Sequence, residues 1–158
     1  MKLRQRCRGW QWVLPVLILD RAGKIFALRF LKDGGARNLI RGLLSLAYVE
    51  NRGMAFGMAQ GRGWLLICLT SIIMIALLVY LLSHEKESKL FRTGLWLLIG
   101  GGLGNLYDRI AYGFVVDFIR LDFISFPVFN PADIAVCTGV GLAALAVLME
   151  EGRKKHGR

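Results

Sequence analysis

WLLICLTSIIMIALLVYLL, residues 64–82, decides the fold class. None of its 19 residues is charged. As a helix it would rise about 28 Å, close to a hydrocarbon core of about 30 Å. The chain around it agrees. It has 158 residues, 55% of them hydrophobic, and a mean hydropathy of +0.49. That is too apolar for an ordinary soluble domain, so the chain reads as a membrane protein.

Working outward, LFRTGLWLLIGGGLGNLY, 90–107, reads as a second span, with Gly100 and Gly104 in the GxxxG spacing of close helix packing. IAVCTGVGLAALAVLME, 134–150, reads as another. The first span, about 11–31, is the weakest, because it carries Asp20, Arg21, Lys24 and Arg29. A charge at mid-membrane costs about 2.5–3.5 kcal/mol on insertion scales. Asp20 and Lys24 stand four apart on a helix, so they partly neutralise each other. The start, MKLRQRCRGWQWVLPVLIL, resembles a signal peptide. Charges follow the apolar run, however, and no small-x-small cleavage site is obvious, so it is expected to be a retained membrane segment. The expected fold class is an all-α polytopic membrane protein with four transmembrane helices, forming a single membrane-embedded domain over 1–158.

Net charge is +10. Basic charge alone would admit nucleic acid as a partner. The hydropathy points instead to basic loops facing anionic membrane lipids, and no nucleic-acid partner is expected. Four spans put both termini on one side. The two tails and the 83–92 loop hold 11 Lys and Arg, against 7 in the longer segments 32–63 and 108–133. The positive-inside rule then places the termini in the cytoplasm. Cys7, Cys68 and Cys137 are scattered, with no CxxC or Cys/His spacing. Neither a disulfide framework nor a metal site is expected, and no cofactor. LLSLAYVENRGMAFGMA, within 32–63, mixes β-formers with glycine and reads as short strands or an amphipathic flap on the membrane.

The costly polar groups cluster where spans end. In FVVDFIRLDFISF, 114–126, an extended chain puts Val115, Asp117, Ile119, Leu121 and Phe123 on one face, and Arg120 and Asp122 on the other. Asp117 then sits in apolar company, where desolvation raises a carboxyl pKa. Asp122 pairs with Arg120 in solvent. Asp117 has two readings, a buried structural acid or a functional one. FNPADIAV, 129–136, has the form of a helix start: Asn130 at the N-cap, Pro131 first, Asp133 at the third position. Asp133 is therefore a capping residue on the plain reading. With Asp117 it also makes two carboxyls whose surroundings drive their pKa values apart, an acid/base arrangement in which water is the nucleophile. In GNLYDRI, 104–110, Asn105 and Arg109 share a helix face and either cap the helix or bind carbonyl or lipid oxygens. Asn51 before Gly53 is an ordinary turn signal.

Taken together, these stretches resemble the lipoprotein signal peptidase (signal peptidase II) family. An Asp-x-x-x-Lys in the first span is matched by Asp20 and Lys24. Asn-x-Gly-x-Ala-Phe is matched by Asn51, Gly53, Ala55 and Phe56. Gly-Gly-x-x-Gly-Asn-x-x-Asp-Arg is matched in full by Gly101, Gly102, Gly104, Asn105, Asp108 and Arg109. Val115, Asp117 and Phe118 match a Val-x-Asp-Phe-like stretch, and Phe129, Asn130, Ala132 and Asp133 match Phe-Asn-x-Ala-Asp. The resemblance covers about residues 12–150. Met54 departs from the family's usual alanine, and Pro131 fills a variable position.

The resemblance implies a membrane aspartic endopeptidase with catalytic Asp117 and Asp133 and no metal. It implies substrate-orienting roles for Asn51, Asn105, Arg109 and Asn130, with Asp20 and Lys24 as a supporting polar pair. It also implies a small extracytoplasmic β-platform on the four helices. The implied substrates are diacylglyceryl-modified prolipoproteins, cut just before the lipidated cysteine, in the bacterial cytoplasmic (inner) membrane with the active site at its outer face. A small membrane transporter or assembly factor, with Asp20, Asp117 and Asp133 relaying protons or holding helices together, is the rival reading. It leaves unexplained why two acids gather with Asn105, Arg109 and Asn130.

Overall fold

The computed structural model describes residues 9–53 and 62–156. Helix α1 (Val13–Phe30) is followed by strands β1 (Arg37–Ile40) and β2 (Leu44–Asn51). Helices α2 (Gly63–Ser83) and α3 (Lys89–Tyr112) come next, then strand β3 (Val115–Leu121) and helix α4 (Pro131–His156). The strands form one antiparallel sheet in the order β1-β2-β3. The family's implied platform is this sheet. Met54, Ala55 and Phe56, part of one matched motif and of the expected 32–63 flap, lie outside the described residues.

α1 shows how one stripe serves two layers. Asp20, Lys24 and Ala27 are its buried residues, at the four- and three-residue spacing of a single helix face. Ala27 and Leu31 pack against Val116 and Phe118 of β3, forming the core beneath the sheet. Asp20 and Lys24 face the helices instead. Gly23 leaves room for the Phe118 ring, because a Cβ there would lie 2.5 Å from it.

α3 is the hub of the bundle and packs most extensively on α4. A Cβ on Gly94 would stand 2.6 Å from the Gly139 carbonyl, and one on Gly139 2.5 Å from the Gly94 carbonyl. The backbones approach so closely that neither position accepts a side chain. The GxxxG glycines divide their work: Gly100 meets Val13 and Val16 of α1, while Gly104 meets Asp20 and Ala132. Arg92 of α3 donates to the carbonyls of Leu81 (3.2 Å) and His84 (2.8 Å), satisfying the end of α2.

The third helix runs five residues past the apolar span read over 90–107, and two past the GNLYDRI stretch, 104–110, read as its end. It stops at Gly113, whose φ of 78° is the left-handed conformation that closes a helix. Asp108 and Arg109 are therefore helical. α4 begins at Pro131, the first helical position read from FNPADIAV and three residues before the apolar span at 134, so Asp133 lies in its first turn. β3 ends at Leu121, which removes Phe123 from the face assigned to it; that side chain is 57% exposed.

By length and composition, Gly63–Ser83 and Pro131–Arg153 are the described helices apolar enough to cross a membrane. α1 carries its four charges, and α3 is diluted by glycine and polar side chains. Yet Leu14, Ile18 and Leu19 on α1, Ile72, Ile75 and Val79 on α2, and Val140 and Leu148 on α4 all point outward, exposed. An exterior this apolar suits lipid, not water.

Candidate active site

A cleft of about 660 Å³ opens between β2, β3, α3, α4 and the segment before α4. Asn51, Asn105, Arg109, Asp117 and Asp133 line it, and Phe126, Ile134 and Val136 contribute apolar wall. Five of the six predicted dyad and orienting residues thus meet at one cavity.

Two elements deliver Asp117. Its partner across the sheet is Val49, two residues before Asn51. On the other side Phe129 pairs with Ile119 (Phe129 N to Ile119 O, 3.0 Å; Ile119 N to Phe129 O, 2.8 Å). That pairing brings Asn130 beneath the carboxylate. Asp117 Oδ1 accepts from Asn130 Nδ2 at 2.6 Å and Oδ2 from Asn51 Nδ2 at 2.9 Å. The amide of Asn51 is itself fixed, because its Oδ1 accepts from Gly53 N at 3.0 Å. Val115 and Asp117 face the cleft, while Val116 and Phe118 face α1, so both sides of the strand's start are covered. The company of Asp117 is therefore amides in a cleft wall, not the purely apolar face expected.

Burial, and secondly the charge of neighbouring Asp133, push the Asp117 carboxyl up to about 7. The two amide donors pull it down by smaller amounts.

Asp133 is held by a reciprocal cap. Its N–H donates to Asn130 Oδ1 at 2.9 Å, and its Oδ2 accepts the Asn130 N–H at 3.2 Å. Its Oδ1 accepts from Asn105 Nδ2 at 2.8 Å. The capping role and the cleft-lining role thus fall on the same residue. Asn130 is fully buried and is not among the cleft's lining residues: its side-chain amide donates to Asp117 and its backbone N–H to Asp133. Arg109 donates to Gly53 O at 3.1 Å, tying α3 to the end of β2.

Asp20 and Lys24 do pair, at 2.9 Å, but within a larger buried group. Lys24 also lies 2.9 Å from Asp108 Oδ2, and Arg21 lies 2.5 Å from Asp108 Oδ1. Sequence reading gave Asp108 and Arg21 no role. The available signal was the four-residue step from Gly104 to Asp108, which puts the acid on the α3 face that meets α1. Asp122 bonds Arg120 (2.8 Å) and the Ser45 hydroxyl, away from the cleft. These two partners, Ser45 first, hold its carboxyl below the usual range. Among the described residues, no three His, Cys, Asp or Glu gather as metal ligands.

Residues 12–149 match the family model described as signal peptidase (SPase) II. The lipoprotein signal peptidase of Clostridium novyi strain NT is 42% identical over 137 residues, spanning 85% of this chain and 93% of that one. The lipoprotein signal peptidase of Syntrophomonas wolfei is 41% identical over 149 residues, spanning 94% and 97%. A solved structure described as a bacterial membrane enzyme, obtained by the in meso method at 2.3 Å, superposes with a TM-score of 0.85 at 31% identity. It covers 90% of this chain and 88% of that one.

Proposed function

Because the chain belongs to the signal peptidase II family, we propose that it cuts diacylglyceryl-modified prolipoproteins just before the lipidated cysteine, using Asp117 and Asp133 on one water. It is a signal peptidase II protease, aspartic in type as the family is, and it removes signal peptides from prolipoproteins. The observation that carries the proposed site is a single buried asparagine, Asn130, bonded to both carboxylates in the wall of one cleft.

In this reading Asp133, accepting two N–H bonds at a helix start, is the carboxylate that takes a proton from water. The hydroxyl attacks the scissile carbonyl carbon. Asp117 gives its proton to the carbonyl oxygen. As the C–N bond breaks, Asp133 gives the leaving amine the proton it took from water and Asp117 takes one back from the diol, so both carboxyls return to their starting states. Arg109 and the amides of Asn51 and Asn105 hold the peptide carbonyls over the dyad. Four helices span the inner membrane, with the termini in the cytoplasm and the cleft at the outer face. The apolar outward faces of α1, α2 and α4 support that arrangement. Acyl chains that stay in the bilayer bring about 0.8 kcal/mol per CH₂, so the membrane itself concentrates and orients the substrate.

Cleavage of a lipid-modified precursor by purified enzyme tests the assignment. Asp117→Asn and Asp133→Asn should each lose about 10²–10⁴ in rate while remaining folded. Asp122→Asn should keep most activity. Wild-type turnover in either of the first two variants, or equal cleavage of a precursor lacking the lipid, refutes the reading.

A further inference from the structure

We infer that Lys24 is a positioning residue that fixes the two aspartates relative to each other through a pair of buried acids, Asp20 and Asp108. The inference rests on the dyad proposed above. The Lys24 ammonium is wholly buried, hydrogen-bonded to one oxygen and ion-paired with two more. Asp20 Oδ2, Asp108 Oδ2 and Asn105 Oδ1 all lie 2.9 Å away. An isolated Asp20–Lys24 pair would use only one of them.

Each acceptor leads to the dyad. Asp20 Oδ1 accepts the N–H of Ala132, the residue before Asp133, at 3.2 Å. Asp108 Oδ2 accepts the N–H of Val116, the residue before Asp117, at 3.1 Å. Asn105 reaches Asp133 directly. Its Oδ1 is taken by Lys24 and by Asn130 Nδ2 (3.2 Å), so its Nδ2 is the end turned to the carboxylate. One ammonium therefore gathers three arms, from α1 and α3, that end on or beside both catalytic residues. Arg21 closes the far side, 2.5 Å from Asp108 Oδ1 and 3.7 Å from Asp20 Oδ2. Two cations balance two acids, which is the condition for keeping such a group buried. Lys24 does not line the cleft, so it acts through others. The charged groups around the dyad are Asp20, Arg21 and Lys24 from α1, Asp108 and Arg109 from α3, and Glu50 and Arg52 from β2 and its end.

Misplacing a reacting group by about 1 Å costs about 100-fold. That is the loss expected on removing the hub. Lys24→Met alone leaves a buried acid unbalanced, so the test uses Lys24→Met/Asp20→Asn. This pair restores neutrality and keeps an oxygen for the Ala132 N–H. Turnover of a lipid-modified precursor by full-length enzyme is measured in detergent across pH, after thermal unfolding has established the fold. Turnover should fall about 100-fold, with KM changed by less than about threefold. The alkaline limb should move to higher pH, because the Lys24 charge that lowers Asp117 is gone. Lys24→Gln/Asp20→Asn, neutral in the same way and keeping two donors at the hub, should lose at least about tenfold at little-changed KM, and it serves if the methionine variant does not fold. A folded variant with wild-type turnover, or with lower turnover and an unmoved pH profile, overturns the inference alone. Asp133→Asn runs beside them: if it still turns over, the dyad is wrong and this inference falls with it.

Discussion

At the scale of single residues, the site is a set of amides gathered around two carboxyls in one cleft. Asp117 sits at about 7, burial being the larger cause and Asp133 the second. Its proton is therefore kept below that pH and lost above it. An enzyme that needs Asp117 protonated should lose kcat/KM as pH rises through about 7, approaching about tenfold per unit beyond, with the apparent value belonging to the pair. Asn51 donates to the ionised form and so opposes the shift. Asn51→Ala should consequently carry the alkaline limb to higher pH, beyond any loss of rate. A flat profile from pH 6 to 9, or a limb moving down in Asn51→Ala, would exclude Asp117 as the acid. The aspartates themselves were legible in sequence, because each is an acid that composition alone makes expensive. What Asn130 does was not. An N-cap signature accounts for its bonds to Asp133, and only the pairing of Phe129 with Ile119 reveals that its remaining amide reaches Asp117.

At the scale of elements, apolar runs located the helices and polar residues misplaced their ends. α2 is uncharged and was read to within a residue. The apolar span of α3 ends at 107 in the sequence, because Asp108 is costly in a membrane until α1 supplies Lys24 and Arg21 to bury against, although Arg109 already reads on the helix face of Asn105. The pattern also carried no sign that α3 and α4 touch through glycine. Gly94→Ala tests that contact. The new methyl would meet Gly139 O at 2.6 Å and Ala143 N at 2.8 Å, both backbone, so the helices must part. α3 carries Asn105 and α4 carries Asp133, and their 2.8 Å bond spans the same interface. Gly94→Ala should cost about 1–3 kcal/mol in stability and lower turnover as well. Gly141→Ala, with nothing within 4 Å, should be neutral or stabilising by about 0.5–1 kcal/mol. Thermal inactivation of both variants in one detergent makes the comparison, and equal midpoints would show that the glycine contact is not limiting.

At the scale of the whole molecule, the question is which side of the membrane the sheet and cleft face. All three strands, and the turn leading into α4, lie at the same end of the helices, opposite the loop between α2 and α3. That loop exposes Lys86 and Lys89, while Arg92, counted among its positive charges in the sequence, turns inward to the end of α2. Insertion is governed by the chain before it folds, so the count over the sequence is the one that sets orientation. A precursor being exported presents its cleavage site at the outer face, so a cleft on the inner face would have no substrate. A reporter inserted at 85–88 should therefore read cytoplasmic, and one inserted between Phe123 and Ile124, both exposed beyond the end of β3, should read external. Insertion there lies outside the hydrogen bonds of the dyad, so cleavage of a lipid-modified precursor can be measured in the same cells. External signal with retained cleavage is the expected outcome. The opposite signal from both sites would turn the bundle over and leave Asp117 and Asp133 out of reach of any exported peptide.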